Sequence, residues 1–217
     1  MLFDVNAEQA ETLARKKALP TSAMRQEMEF VSKWFKSMGA TEFIPASELY
    51  IRHAGNITGA VKSFTGAEML AGGVTVDEAL GTFGYHFDIR GGIKGLGNRA
   101  LQKGLEIFRL HLPPLFNFGI QHALIKDVSN LVVISPASGF EGYASSAGRI
   151  VEFNCGVGQG VGIAIAIALT TAPRNLAEIS NQEVREVLVN TQRLPKIYGV
   201  SYLEQARELD VFENLIA

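Results

Sequence analysis

The chain has 217 residues, 47% of them hydrophobic, with 20 lysines and arginines against 22 acidic residues and a net charge of −2. That composition suits a globular protein able to bury a substantial core. It excludes a polyanion groove, which needs clustered lysine and arginine to neutralise phosphates, so no nucleic-acid partner is expected. Cys155 is the single cysteine, which rules out an internal disulfide and a cysteine-based metal site. Between Asn154 and Gly156 it reads as a small buried hydrophobe rather than a reactive thiol. The opening MLFDVNAEQAETLARKK has no positive segment followed by an apolar one, so a secretory signal is not visible and a cytoplasmic setting is expected.

Two helices are predicted within residues 1–40. The first covers about 7–18 and ends before Pro20; the second has Thr21 or Ser22 as N-cap and Gly39 as its stop. Met24, Met28, Val31, Phe35 and Met38 recur at intervals of three and four, which makes one apolar stripe. Such a stripe reads as core packing rather than a cofactor box, and as a partner interface or homo-oligomer core if the chain is a non-enzymatic module. Phe30 and Trp34 form a second face, so the helix is expected to be covered on two sides.

Residues 41–122 change character and read as a β-rich, substrate-side layer. Leu49 and Ile51 alternate with Tyr50 and Arg52 as in a strand, and Thr82 to Ile89 alternates aromatic with small or polar residues. Short helices fit 67–73 and 76–80. Residues 123–172 supply a strand and an apolar helix, and 173–217 form a helical tail. There Ser180 and Glu183 have capping-box spacing, repeated by Ser201 and Glu204. No strong domain boundary is visible, so a single unit is expected.

The stretch from Asn130 to Thr170 carries the most information. An apolar run, Leu131 to Ile134, leads through a small-residue loop into Ser146-Ala-Gly-Arg149, and a glycine-laced helix is expected to start near Gly158. A first turn of glycines would let a flat or anionic ligand approach unpaired N–H groups. Arg149, permanently charged and planar, suits a carboxylate, a phosphate or the anionic edge of a reduced flavin. Its structural alternative is a salt bridge to Glu141 or Glu152. The run from Cys155 to Ala172 is nearly apolar, but its strongly apolar part is about half the ~20 residues a bilayer requires. A helix buried on all sides of a soluble core is expected instead, and no membrane partner.

Other constellations are weaker. Gly95-Leu-Gly-Asn-Arg-Ala100 satisfies a dinucleotide fingerprint but lacks the preceding buried strand and the acid ~20 residues on, so it reads as a glycine-rich turn. A nicotinamide-binding protein using it is a distant third option. His53, His86, His111 and His122 have no metal-ligand spacing. His86 shares a strand face with Asp88 and suits proton transfer, or a structural hydrogen bond. No G-x-S-x-G elbow occurs.

Taken in order, several motifs resemble the C-terminal part of the FAD-dependent oxidoreductase family with a glutathione-reductase-like flavin fold. They are Phe43-Ile-Pro-Ala-Ser-Glu-Leu-Tyr-Ile-Arg52 and Tyr85-His-Phe-Asp-Ile-Arg90, the latter with Arg90 where the family has histidine. Gly119 to Lys126 with Asn130 to Ile134, Ser146 to Arg149, and Gly158-Gln-Gly-Val-Gly162 complete the series. The chain departs from the family at Ser135-Pro-Ala-Ser138, where alanine-glycine-arginine is usual.

The resemblance implies an α/β or α+β chain forming part of an FAD/NAD(P)-binding-type fold. It implies FAD held by Arg149, Gly158, Gln159, Gly160 and Val161, with the helix terminus stabilising negative charge on the reduced ring. His86 and Arg52 become substrate-side catalytic candidates, for hydride or electron transfer from a small organic substrate. The glycine-rich nucleotide loop of the family is not found, so the chain reads as a truncated, split or degenerate oxidoreductase, with a partner chain carrying the other half. The alternative is a non-catalytic remnant or protein-interaction module that no longer binds flavin.

Overall fold

In the computed structural model, which describes residues 16, 18–48, 56–88, 96–106, 113–170 and 174–217, contacts divide the chain into two units, Met1–Arg52 and His53–Ala217. No composition change marks that junction. The helix expected at 7–18 lies largely outside the described residues. The strand around Leu49 and Ile51, with Arg52, lies wholly outside them, as do His53, Arg90 and His111.

In the first unit, helix α1 spans Ser22–Ser37. Thr21 caps it as expected, its hydroxyl accepting the Met24 N–H at 3.3 Å, which satisfies one of the free donors at a helix start. Gly39, at φ +98°, turns the chain away. Met28 and Val31 are half-buried, and Phe35 stacks on Phe43 with ring centroids 5.8 Å apart. None of the residues of α1 is buried, however. Phe30, Trp34 and Met38 are 66%, 51% and 71% exposed, which corrects the expectation of cover on two sides. Helical periodicity finds an apolar face; it does not say whether anything lies on it.

The second unit mixes short strands with helices. Strand β1 (Phe64–Thr65) pairs in parallel with β4 (Phe140–Glu141), and β2 (Gly81–Gly84) pairs antiparallel with β3 (Leu115–Phe118). The helices are α2 (Gly66–Leu70), α3 (Leu96–Gln102), α4 (Ala144–Gly148), α5 (Val151–Thr170), α6 (Asn181–Asn190) and α7 (Leu203–Ile216). This is the mixed helix-and-strand class expected. The 41–122 layer holds β1, β2 and β3 together with α2 and α3. The helix expected at 76–80 is a turn, and β2 ends at Gly84 rather than continuing to Ile89.

Capping boxes set two helix starts. Ser180 and Glu183 form both reciprocal bonds at α6, as their spacing predicts. Thr65 and Glu68 do the same for α2, moving its start ahead of the expected 67. The Ser201–Glu204 repeat does not cap: α7 begins at Leu203 after Tyr202, with no side-chain cap bond. Of the glycine-rich turn expected at 95–100, residues 96–100 are instead part of α3, with Gly97 and Ala100 buried, and Gly95 lies outside the described residues.

The main core gathers around α5. Phe153 sits in an aromatic cluster, its ring centroid 5.3 Å from Phe118, 5.4 Å from Phe83, 5.8 Å from Phe140 and 5.9 Å from Phe116. Tilted and edge-on contacts of this kind add to the area the rings bury. Val157, Val161 and Ala164 continue the contact toward Val184 and Leu188 of α6. A second, smaller cluster lies under α7, where Ala206, Leu209 and Ile216 meet Ala67, Leu70, Ala100 and Tyr143.

Candidate functional site

Helix α5 starts at Val151, about two turns before Gly158. The expectation that Gly158 opens the helix is therefore corrected. Only the first few N–H groups of a helix lack an intrahelical partner, and that series ends before Asn154, whose N–H donates to the Ile150 carbonyl at 3.1 Å. The N–H groups of Gly158, Gln159, Gly160 and Val161 are consumed inside the helix. The start moves because Asn154 stitches the α4–α5 junction, its Nδ2 donating to the carbonyls of Gly148 at 2.7 Å and Ile150 at 2.9 Å.

The four positions also divide by face. Gly160 and Val161 are buried, and a Cβ on Gly160 would stand 2.8 Å from both Ile120 Cγ2 and Leu80 Cδ1. Gln159 is exposed and Gly158 half-buried. They do not converge on one cavity, and they do not fit the flavin edge that the resemblance gives them.

Arg149 is committed elsewhere. Its Nη2 donates to Asp88 Oδ2 at 2.7 Å, 61 residues upstream, and reaches the Tyr85 hydroxyl at 3.4 Å. The guanidinium carbon lies 5.6 Å from the Tyr85 ring centroid. The arginine side chain is 6% exposed and that of Asp88 35%. The ion-pair alternative thus holds, with Asp88 as partner in place of Glu141 or Glu152. A cation this deep needs its counter-ion, so the pair fixes β2's trailing segment to the α4–α5 junction. His86 is exposed beside it, and Arg52 is not described, so the two catalytic candidates are not brought together.

Two polar side chains that motif reasoning passed over stand out, one buried and one half-buried. His122 is 3% exposed, ringed by Phe140, Phe153 and Phe64 at 4.8, 5.7 and 5.9 Å. Its Nε2 has no hydrogen-bond partner. Burial holds its pKa far below the ordinary histidine value, at about 3, so it is neutral. Glu213 of α7 accepts the N–H groups of Tyr143 at 2.7 Å, Ala67 at 3.1 Å and Gly66 at 3.2 Å. Burial raises its pKa despite those three bonds. A Cβ on Gly142 would lie 2.2 Å from its carboxylate, so that glycine makes room for the anchor. No local motif marks either residue, because their partners are distant in the chain.

What remains is the outward side of α5, which corrects the picture of a helix buried all round. Phe153, Val157, Gly160, Val161, Ala164 and Ala168 face the core. Cys155, Gln159, Gly162, Ile165, Ala166 and Leu169 are exposed, so Cys155 is not the buried hydrophobe expected. By length and composition α5 could cross a membrane, though a core helix passes the same test. A Cβ on Gly162 meets nothing within 4 Å, and one on Gly158 touches only Ile134 at 3.9 Å. The face runs into a cavity of about 490 Å³ lined by Val132, Ile165, Leu169 and Leu176, with Arg174 and Asn175 among its polar lining residues. Arg174 is held by Glu183 at 2.7 Å. Among the described residues no group of three or more histidine, cysteine or acidic side chains could hold a metal.

Compared with known proteins, the chain matches no family model, and no curated protein and no solved structure is significantly similar to it.

Proposed function

We propose that this chain is a non-catalytic protein-interaction module whose partner packs along the outward face of α5. One observation carries the reading: the glycines of α5 are of two kinds. Gly156 and Gly160 are required by the chain's own core, since a Cβ would strike Phe118 at 2.7 Å in the first case and Ile120 and Leu80 in the second. Gly162 meets nothing within this chain. A glycine in a helix interior costs about 1 kcal/mol relative to alanine. A second backbone approaching closely at 158, 162 and 166 offsets that cost and uses Ile165 and Leu169, which are 40% and 75% exposed, as its apolar anchors.

Cys155, exposed on the same face, provides the reporter. A photocrosslinker attached there should capture one protein species in extracts of the producing cells. Gly162→Leu should remove that species without lowering the thermal unfolding temperature. Absence of any captured species would overturn the reading. So would bound flavin absorbing at about 450 nm, either in the purified chain or on co-expression with a chain carrying a glycine-rich nucleotide loop.

A further inference from the structure

The first unit holds a cavity of about 580 Å³ between α1 and the segment Pro45-Ala46-Ser47, with Leu19 and Pro20 completing its wall. Pockets that take small molecules have volumes of about 300–1,000 Å³. From α1 the cavity is lined by Arg25, Glu29, Lys33 and Lys36. Their spacing of four, four and three residues puts them on one face of the helix.

Two properties of the lining define what the cavity can take. One is charge. Three basic side chains line it against one acidic one, in a chain whose net charge is −2, so the positive surplus is local. The ion pairs among the described residues join Lys62 to Glu68, Arg149 to Asp88 and Arg174 to Glu183; Lys33 and Lys36 are in none of them. Arg25 commits Nη1 to the Pro20 carbonyl at 2.7 Å and keeps the rest of its guanidinium fork. The other property is hydrocarbon. Leu19, Pro20, Met28, Pro45 and Ala46 supply it, with Pro20 buried and Met28 half-buried. A bare inorganic anion would pair the cations and leave that wall wet. An uncharged apolar molecule would cover the wall and leave the lysines unpaired. A phosphate monoester on an alkyl chain answers both, because its head is close to doubly charged at neutral pH and its chain removes the apolar wall from water. We propose that this cavity binds a soluble alkyl phosphate monoester, with Lys33 and Lys36 on the head and the apolar wall on the chain. This goes beyond the α5 reading and does not rest on it, since the cavity lies wholly within the first unit.

Octyl phosphate, titrated calorimetrically into the full chain below its micelle concentration, should bind once per chain with a Kd below about 100 μM. Octanol and inorganic phosphate, each carrying one part of that ligand, should bind at least about tenfold more weakly. Lys33→Gln combined with Lys36→Gln should weaken octyl phosphate by at least about tenfold. Glu29→Gln, which removes the acid one turn from Lys33, should tighten it about threefold. All three positions are exposed, so the far-ultraviolet circular dichroism should not change. No binding of octyl phosphate up to about 1 mM overturns the proposal. It is overturned equally by octanol or inorganic phosphate binding as tightly, by a double lysine variant of unchanged affinity, or by a Glu29→Gln variant that binds no tighter. Vesicles of phosphatidylcholine with phosphatidic acid present the same head at a membrane surface. Co-sedimentation with them in preference to binding octyl phosphate would assign the site to a lipid surface and overturn the soluble ligand. Capture at Cys155 reports α5 alone, so neither experiment decides the other.

Discussion

His122 shows how an unremarked residue acquires a measurable consequence through its surroundings. In the unfolded chain it takes up a proton near pH 6.5, whereas the folded chain resists protonation down to about pH 3. Between those values the unfolded state binds the extra proton, so stability that is fully present above pH 6.5 is lost as pH falls. One such group contributes a slope of about 1.4 kcal/mol per pH unit, or about 2 kcal/mol between pH 6.5 and 5. Urea unfolding at pH 7 and pH 5 should reveal it, and His122→Phe, which keeps a ring among Phe64, Phe140 and Phe153, should remove that share. A variant that keeps the full acid sensitivity would show that His122 is not its source. Arg149 makes the complementary point. A planar cation in a small-residue turn is suited to an anion, and the anion it meets is Asp88 of the same chain.

At the scale of an element, α5 concentrates the difference between pattern and packing. Its apolar, glycine-rich sequence marks a helix but leaves both its start and its orientation open. Asn154 decides the start through two backbone carbonyls, and the Phe153 cluster decides which side turns inward. The two classes of glycine then respond oppositely to the same substitution. Gly162→Ala adds a methyl group in open space and should stabilise the isolated chain by about 0.5–1 kcal/mol. Gly160→Ala drives a Cβ to within 2.8 Å of Ile120 and Leu80 and should cost about 1–3 kcal/mol. Denaturant midpoints of the two variants check this directly, and equal shifts in one direction would contradict the assigned faces. The capping boxes were readable in advance at Ser180, and the same T-x-x-E spacing at Thr65 would have located α2. At Ser201 the spacing misleads, because the chain there is held extended: Val200 donates to Leu115 at 2.9 Å and Tyr202 to Leu70 at 2.8 Å, so α7 starts later.

For the molecule as a whole, the division at Arg52 and His53 separates a unit whose described helix buries no residue from one with two apolar clusters. The two should therefore lose structure separately. Trp34 emission reports the first unit alone, while far-ultraviolet circular dichroism is dominated by the helices of the second. In guanidinium the emission change should precede the dichroism change, measured on the full chain. Coincident transitions would mean that the units unfold as one.

The amino-acid sequence by itself determined the mixed helix-and-strand class, the start of α1 at a cap of Thr21 or Ser22, the cap of α6 at Ser180 and the apolar face of α1. These depend on periodicity and on partners within four residues, which a single stretch of chain contains. Tertiary structure alone decided that Asp88 holds Arg149, that Glu213 gathers three amides, and which glycines touch the core. Each of those rests on which distant groups share the same few ångströms, and the free energy of burying a charge or excluding a methyl group exists only once they do.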